Sequence, residues 1–428
     1  MSILRRLFFI LPVFLVLISL VLSLSTVAVA ADSVITLDEA VRFALQANPE
    51  IMVVQHARSA ESAAILQAAA RPNPTLSAQV EDLRSQYRNS TILLSQPLET
   101  AGKRDMRMAA ADANLAIADA DILIAQAEVN AKVYSAFYQV LAAQQAQNLA
   151  QELLKISTQS KEATVKRVLA GKVSPVEETR AKVAEAGLKM ELAMASQQLI
   201  SSRKRLASLW GNIRSDNATF TATGELDNFN EIATLDDLIK QLQFSPKLHK
   251  ATLAITQKQA LRDIEKAKQT PDVTLSLGAK RNEELGGITQ AVIGLSVPIP
   301  VFDRNQGNLQ GAQARQLQAE SEKIALENQL TKELNDAYGR RKLQIEAAHT
   351  YSADILPGAQ SAYEAARKGF EFGKFSFLEV LDAQRTFFQA KTQHIQTLIS
   401  AHEAQADIQN ILAITNTNKS ASFQKESP

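Results

Sequence analysis

Alternation of apolar and polar residues with a period of two marks four short stretches of the chain. Val273, Leu275, Leu277 and Ala279 alternate with Thr274, Ser276, Gly278 and Lys280, and Ala291, Ile293, Leu295 and Val297 alternate with Val292, Gly294 and Ser296. With the polar loop Arg281–Gly287 between them, they predict a β-hairpin with one apolar face. A weaker copy comes earlier, with Leu76, Ala78 and Val80, then Ile92 and Leu94, around Arg84–Asn89. A proline, Pro97 or Pro298, is expected to stop each hairpin. The pattern then turns helical. No glycine or proline occurs from Arg104 to Ala170, and Leu115, Ile122, Val129, Val133, Phe137 and Val140 recur at the steps of three, four and seven that helix-on-helix packing uses. A second long helix is expected over Leu309–Phe372, bent at Gly339 and Pro357-Gly358. Both end at a Gly-Lys-x-Ser turn, from which shorter helices return over 176–210 and 378–413. Before each hairpin a helix is predicted to begin at Thr36 with Glu39, or Thr234 with Asp237, and to run to the prolines at Pro72–Pro74 or Pro271.

These parts form two copies of one plan. Thr36-Leu37-Asp38-Glu39 returns as Thr234-Leu235-Asp236-Asp237, and Asn48-Pro49 as Ser245-Pro246. Ser95-Gln96-Pro97-Leu98 returns as Ser296-Val297-Pro298-Ile299, and Gly171-Lys172-Val173-Ser174 as Gly373-Lys374-Phe375-Ser376. The landmarks recur in order, 197 to 202 residues apart. The expected division is a first repeat over 31–230, a second over 231–414 and a disordered polar tail over 415–428.

Composition narrows the class. The 428 residues hold 46 Lys+Arg against 45 Asp+Glu, so no net field recruits nucleic acid. Absence of cysteine excludes disulfides, thiolate metal sites and thiol catalysis. Arg5-Arg6, an apolar run from Leu7 to Leu24 and Ala28-Val29-Ala30 read as a cleaved secretory signal over residues 1–30. The mature chain is thus exported. Four short amphipathic strands cannot close a membrane barrel, for which about eight is the minimum. Three copies would supply twelve strands and a matching ring of long helices, and so a pore continued as a helical tube.

On these residues the chain resembles the TolC-type outer-membrane efflux channels, and within them the cobalt–zinc–cadmium resistance (CzcC-like) branch. The resemblance rests on Gln96-Pro97-Leu98-Glu99-Thr100-Ala101-Gly102-Lys103-Arg104 after the first hairpin. Its second support is Val297-Pro298-Ile299-Pro300-Val301-Phe302-Asp303-Arg304-Asn305-Gln306-Gly307-Asn308 after the second. It covers Thr36–Ala413. It implies a mainly α fold with a small β part: a coiled-coil α-helical barrel in the periplasm, with two hairpins per chain completing a twelve-strand outer-membrane β-barrel in a homotrimer. It implies docking onto a periplasmic adaptor and an inner-membrane pump of the resistance–nodulation–division type, no enzymatic activity and no cofactor. The cargo implied is a divalent heavy-metal cation, with small toxic organics or antibiotics as the alternative. By the same resemblance, the turns at Gly171, Lys172, Ser174 and Gly373, Lys374, Ser376 are the tips that meet the adaptor. Glu379 and Asp382, three apart on one helical face, line the periplasmic mouth as rings of carboxylates. In its best-known member the family's closed state is held by a tyrosine and an arginine near this turn. Phe370 and Phe375 stand there in this chain, so closure is expected to rely on packing or other contacts.

Other signals carry less. His394 and His402 are eight residues apart, too far for one ion on a helix, and are expected to be packed or solvated. Gly102-Lys103 and Gly171-Lys172 lack the upstream glycine of a phosphate loop. A soluble periplasmic coiled-coil adaptor is the reading from another class, and the duplicated amphipathic hairpins argue against it.

Overall fold

The computed structural model describes residues 33–211, 220–229 and 231–413. The secretory signal and the polar tail lie outside the described residues. In chain order the elements are β1 (Ser33–Ile35), α1 (Leu37–Ala47), α2 (Pro49–Ala69), β2 (Thr75–Glu81), β3 (Asn89–Leu98), α3 (Lys103–Leu169), α4 (Pro175–Ser208) and β4 (Phe220–Ala222). There follow α5 (Leu235–Leu242), α6 (Pro246–Ala267), β5 (Val273–Asn282), β6 (Ile288–Ser296), α7 (Gln306–Thr350), a π-helical turn (Tyr351–Ile355), α8 (Leu356–Glu371) and α9 (Phe377–Leu412).

The alternating stretches form one antiparallel sheet in the order β2-β3-β5-β6, so the two hairpins are joined by β3 on β5. The register lines the apolar positions up in rows. Leu76, Leu94, Leu277 and Ile293 make one, and Ala78, Ile92, Ala279 and Ala291 the next. On the other face Gln79, Thr91, Lys280 and Gln290 form a polar row. The apolar rows are largely uncovered in the single chain, with Ile293 76% and Leu295 70% exposed. Strands with one polar and one bare apolar face suit a sheet that separates lipid from water. Among the described residues no helix is long and apolar enough to cross a membrane. Pro97 does not stop β3. It sits inside the strand's last turn opposite Thr274, beyond the start of β2, where β3 has a neighbour on one side only.

The helical part departs from the sequence reading at two places. The first helix of each repeat is two helices, broken at Asn48-Pro49 and Ser245-Pro246, because a proline at the first helical position starts a new helix more readily than it continues an old one. Asn48 accepts from the Glu50 N–H at 2.8 Å and donates from Nδ2 to the Leu209 carbonyl at 2.7 Å, which pins the break to the end of α4. The second long helix passes Gly339 without interruption. It widens instead into the π turn at Tyr351–Ile355, just before Pro357, whose missing N–H and bulky ring exclude regular α bonding there.

α3 is the spine. Its 67 residues span about 100 Å at 1.5 Å per residue, and α1, α2, α4, α6 and α9 all pack on it. Near the sheet its buried positions are alanines (110, 111, 113, 118, 120), which let α2 and α6 approach closely, while Leu115 and Ile122 stay half-buried. Further along, Val129, Val133, Phe137 and Val140 enter the main core with Leu206, Phe220, Leu226 and Leu398. The parallel pair β1–β4 belongs to this level and ties the start of the first repeat to the segment between the repeats.

His402 of α9 is buried in this core. Its Nε2 lies 2.8 Å from the Leu226 carbonyl and its Nδ1 3.0 Å from the Tyr134 hydroxyl, and its ring stacks on Tyr138 at 3.5 Å. A carbonyl only accepts, so Nε2 carries the proton and Nδ1 accepts from Tyr134. Burial depresses its pKa from 6.5 to about 4. The neutral form therefore belongs to the fold. Its stability contribution is complete above pH 6.5 and is lost as pH falls toward 4, a swing of up to about 3 kcal/mol. The thermal midpoint of the protein should fall between pH 7 and 4.5, and less steeply in His402→Gln; equal slopes would contradict this role. In the sheet, a Cβ on Gly278 would lie 2.0 Å from the Ile92 carbonyl oxygen. Gly278→Ala should therefore reduce the yield of heat-resistant folded protein in the membrane, whereas Gly294→Ala, with its nearest neighbour at 3.5 Å, should not.

Candidate functional site

The two glycine turns end their helices in the same way. At the end of α3, Gly171 (φ 68°) donates to the Val168 carbonyl and Lys172 to that of Arg167, both at 2.9 Å. After α8, Gly373 (φ 74°) donates to the Phe370 carbonyl at 2.9 Å and Lys374 to that of Gly369 at 2.8 Å. This paired closure needs a left-handed residue, which glycine supplies without strain. The next helices restart on serine caps. Ser174 Oγ accepts from the Val176 N–H at 3.3 Å and Ser376 Oγ from the Glu379 N–H at 3.4 Å. Lys172 and Lys374 are exposed.

The structure sets these turns side by side through a residue that sequence reading passed over. Arg167, in the last turn of α3, donates from Nη1 to the Phe370 carbonyl at 2.6 Å, with its guanidinium 4.3 Å from the centre of the Phe370 ring. It thus supplies a cation to the carbonyl end of α8. Phe370 is buried against Phe377 at 5.7 Å, and Phe375 lies so close over Gly369 that a Cβ there would fall 2.2 Å from its ring. The second turn is therefore packed by aromatics and held to the first by one arginine. No motif announced Arg167, because its acceptor is a main-chain oxygen 203 residues away.

Glu379 and Asp382 both lie on the exposed side of α9. Glu379 is engaged locally: its carboxylate accepts from the Ser376 N–H at 2.6 Å and hydroxyl at 2.9 Å, closing a capping box. The backbone N–H, then the hydroxyl, hold its pKa below the usual carboxylate range. Asp382 stands one turn further along.

The residues of the motif after the first hairpin form a joint at the far end of α3. Gly102 (φ 67°) turns the chain into the helix. Thr100 donates from its N–H to Asp272 Oδ1 at 2.9 Å and from its hydroxyl to the Pro271 carbonyl at 2.7 Å, and Lys103 pairs with Asp272 at 2.6 Å. Burial works against ionisation of Asp272, yet Lys103 and Thr100 lower its pKa on balance. Arg104 donates to the Ala69 carbonyl at 2.8 Å, and Arg107 pairs with Glu99. First and second repeats are thus locked where helix meets sheet. In the second joint Asn305 takes the left-handed position (φ 57°), and its Nδ2 donates to the carbonyl and carboxylate of Glu265, both at 2.8 Å. Pro298, Pro300 and Arg304 are exposed, as are Ile299 and Phe302, the latter 92%. Gly307, in the first turn of α7, has open space around it. Among the described residues no group of three or more His, Asp and Glu side chains is placed to hold a metal ion.

Removing the arginine should loosen the second turn. Arg167→Ala should speed hydrogen exchange at the Gly373 and Lys374 amides by about tenfold or more, the scale of a lost charged hydrogen bond, while leaving Gly171 close to its wild-type rate. Unchanged exchange at Gly373 would contradict the contact.

Comparison with known proteins bears on this arrangement. The family described as outer membrane efflux protein matches residues 40–212 and 238–413, one stretch in each repeat. The chain is 37% identical over 378 residues to the cobalt-zinc-cadmium resistance protein CzcC of Cupriavidus metallidurans, covering 88% of this chain and 90% of that protein. It is 27% identical over 282 residues to the cation efflux system protein CusC of Escherichia coli, covering 63% and 59%. Among solved structures, CusC superposes with a TM-score of 0.76 at 19% identity, over 88% of this chain and 91% of that one. The outer membrane protein VceC of Vibrio cholerae superposes with a TM-score of 0.74 at 19% identity, over 88% and 96%.

Proposed function

The chain belongs to the outer membrane efflux protein family, and on that premise we propose that it is the outer-membrane channel of a three-part export system whose cargo is divalent heavy-metal cations. The observation that carries the cargo is the 37% identity, across nearly the whole of both chains, to a protein named for cobalt, zinc and cadmium resistance. The family is one of efflux channels rather than enzymes.

In this reading three copies assemble head to tail. Their sheets close a barrel of twelve strands, and their long helices continue it as a tube toward the inner membrane. The tips at Gly171–Ser174 and Gly373–Ser376 receive the hairpins of a periplasmic adaptor, which links the channel to an inner-membrane pump of the resistance–nodulation–division type. Exposed Lys172 and Lys374 offer that adaptor a cationic rim. Threefold repetition makes rings of Glu379 and Asp382 at the mouth, and carboxylate rings favour cations. Because Glu379 is bonded back to Ser376, Asp382 is the carboxylate with the larger share of the work facing the cargo. The passage itself needs no bound metal, since a conduit must release what enters it.

A strain lacking this gene alone tests the reading. Its tolerance of zinc, cobalt and cadmium should fall severalfold, its tolerance of hydrophobic drugs should stay unchanged, and the wild-type gene should restore it. Asp382→Asn should restore it only in part. Sensitivity confined to drugs would overturn the metal assignment.

A further inference from the structure

Glu81 and Lys280 occupy the same position of the repeated plan with opposite charge. Leu76-Ser77 of β2 returns as Leu275-Ser276 of β5, and the same step carries Glu81 to Lys280. The register puts both on the polar face of the four-strand sheet, Glu81 in the row of Asn89 and Asn282, Lys280 in the row of Gln79, Thr91 and Gln290. Every other described strand position on that face holds an uncharged side chain. With the apolar rows toward lipid, this face lines the water-filled passage, and these two residues are the only charges its strands carry.

The two groups meet although β3 runs between their strands. Lys280 Nζ reaches across β3, where Thr91 is its register partner, to lie 3.5 Å from Glu81 Oε2, with the side chains 33% and 52% exposed. So open a pair contributes little to folding. Its consequence is electrostatic. The two charges are much closer together than the screening length of about 10 Å at 0.1 M salt, so a passing ion meets no net charge. The cancellation is complete within each chain and holds for any number of copies.

Glu81 stands at the exit. It is the last residue of β2, and both hairpin loops lie at the end of the sheet away from the long helices. Gln79 Nε2 donates to its Oε1 at 3.3 Å, and the amide oxygen of Asn89, its register partner, is buried without a hydrogen-bond partner. A carboxylate beside an amide oxygen is a donor set that divalent cations accept. Repeated around a closed passage, that set alone would hold the cargo on its way out, and a bare ring of lysines would repel it.

We propose that Lys280 is the release residue of this passage: its ammonium occupies Glu81, so that a divalent cation leaves the barrel neither held nor repelled. This rests on the channel reading above and adds a residue that acts after the carboxylates of the inner mouth. Ions are selected at Glu379 and Asp382, where they enter, and pass a neutral wall where they leave.

The full-length protein is reconstituted in planar bilayers, and the reversal potential is read across a gradient of dilute potassium chloride. Lys280→Gln should raise the ratio of cation to anion permeability by about twofold or more, and Glu81→Gln should lower it by a similar factor. Glu81→Gln/Lys280→Gln carries the wild-type net charge and should return to the wild-type ratio. Both single shifts should shrink in 1 M salt, where the screening length falls to about 3 Å. Zinc chloride in both chambers should reduce the potassium current more in Lys280→Gln than in the wild type or the double variant. Unchanged ratios in both single variants would overturn the proposal. So would shifts that persist in the double variant, which mark a disturbed barrel, or equal zinc sensitivity in Lys280→Gln and the wild type. Wild-type protein that forms no conducting channels would instead remove the channel reading, and this role of Lys280 with it.

Discussion

Every backbone N–H and C=O in a hydrocarbon layer has to be bonded within protein, and a sheet with two open edges violates that rule. The four-strand sheet of this chain is such a sheet. Its apolar rows demand lipid or another apolar surface, and its edges at β2 and β6 demand more strands. Both demands are met if identical copies close the sheet on itself. The rest of the molecule serves that closure: the motif after each hairpin fixes the angle at which a long helix leaves the sheet, and the helices carry the same ring inward for about 100 Å.

Polar contacts between distant parts of the chain gather at the joint and the waist, whereas the tips rest chiefly on apolar packing. At the joint, Lys103, Thr100 and Asp272 lock one repeat to the other over a few ångströms. At the waist, the α9 histidine His402 bonds the carbonyl of Leu226 and the hydroxyl of Tyr134, joining the inter-repeat segment, the spine and the last helix in one buried cluster. The tips are different. Their glycine turns are exposed, and behind them the two helical hairpins are joined by the Arg167 guanidinium on the Phe370 carbonyl and by a buried cluster that brings Leu149, Leu153 and Ala181 together with Phe370, Phe377 and Val380.

Much of the fold was legible because it is repetitive. The duplicated landmarks, the period-two stretches and the glycine-free run after Lys103 are local signals, and the strands, the spine and the left-handed turns at Gly171 and Gly373 appear where those signals stand. Alternation gave the apolar face of each strand, while the rows across the sheet depend on the β3–β5 register, which no local signal carries. The breaks at Pro49 and Pro246 were present in the sequence as landmarks of the repeat; read as first-turn prolines behind Asn48 and Ser245, they also say that a helix starts there. Gly339 misled because a glycine in a packed helix costs stability without bending it, whereas Pro357 perturbs the turn before it. The contacts that matter most for the tips and joints were not legible. Arg167, Thr100 and Asn305 bond main-chain oxygens or carboxylates that folding brings from distant parts of the chain, and such acceptors leave no mark in composition or spacing. Glu379 shows the converse: the Ser376 to Glu379 spacing of a capping box was in plain view, and it gives that carboxylate a local role beside any role at the mouth.

The central claim is that the chain is an incomplete unit whose open edges are satisfied by its own kind. Native mass spectrometry of the protein extracted from outer membranes in mild detergent tests it directly. The account predicts one dominant species of three times the mature chain's mass that persists on dilution. A monomer as the dominant species would contradict it, because the sheet would then have to keep two unbonded edges in the membrane.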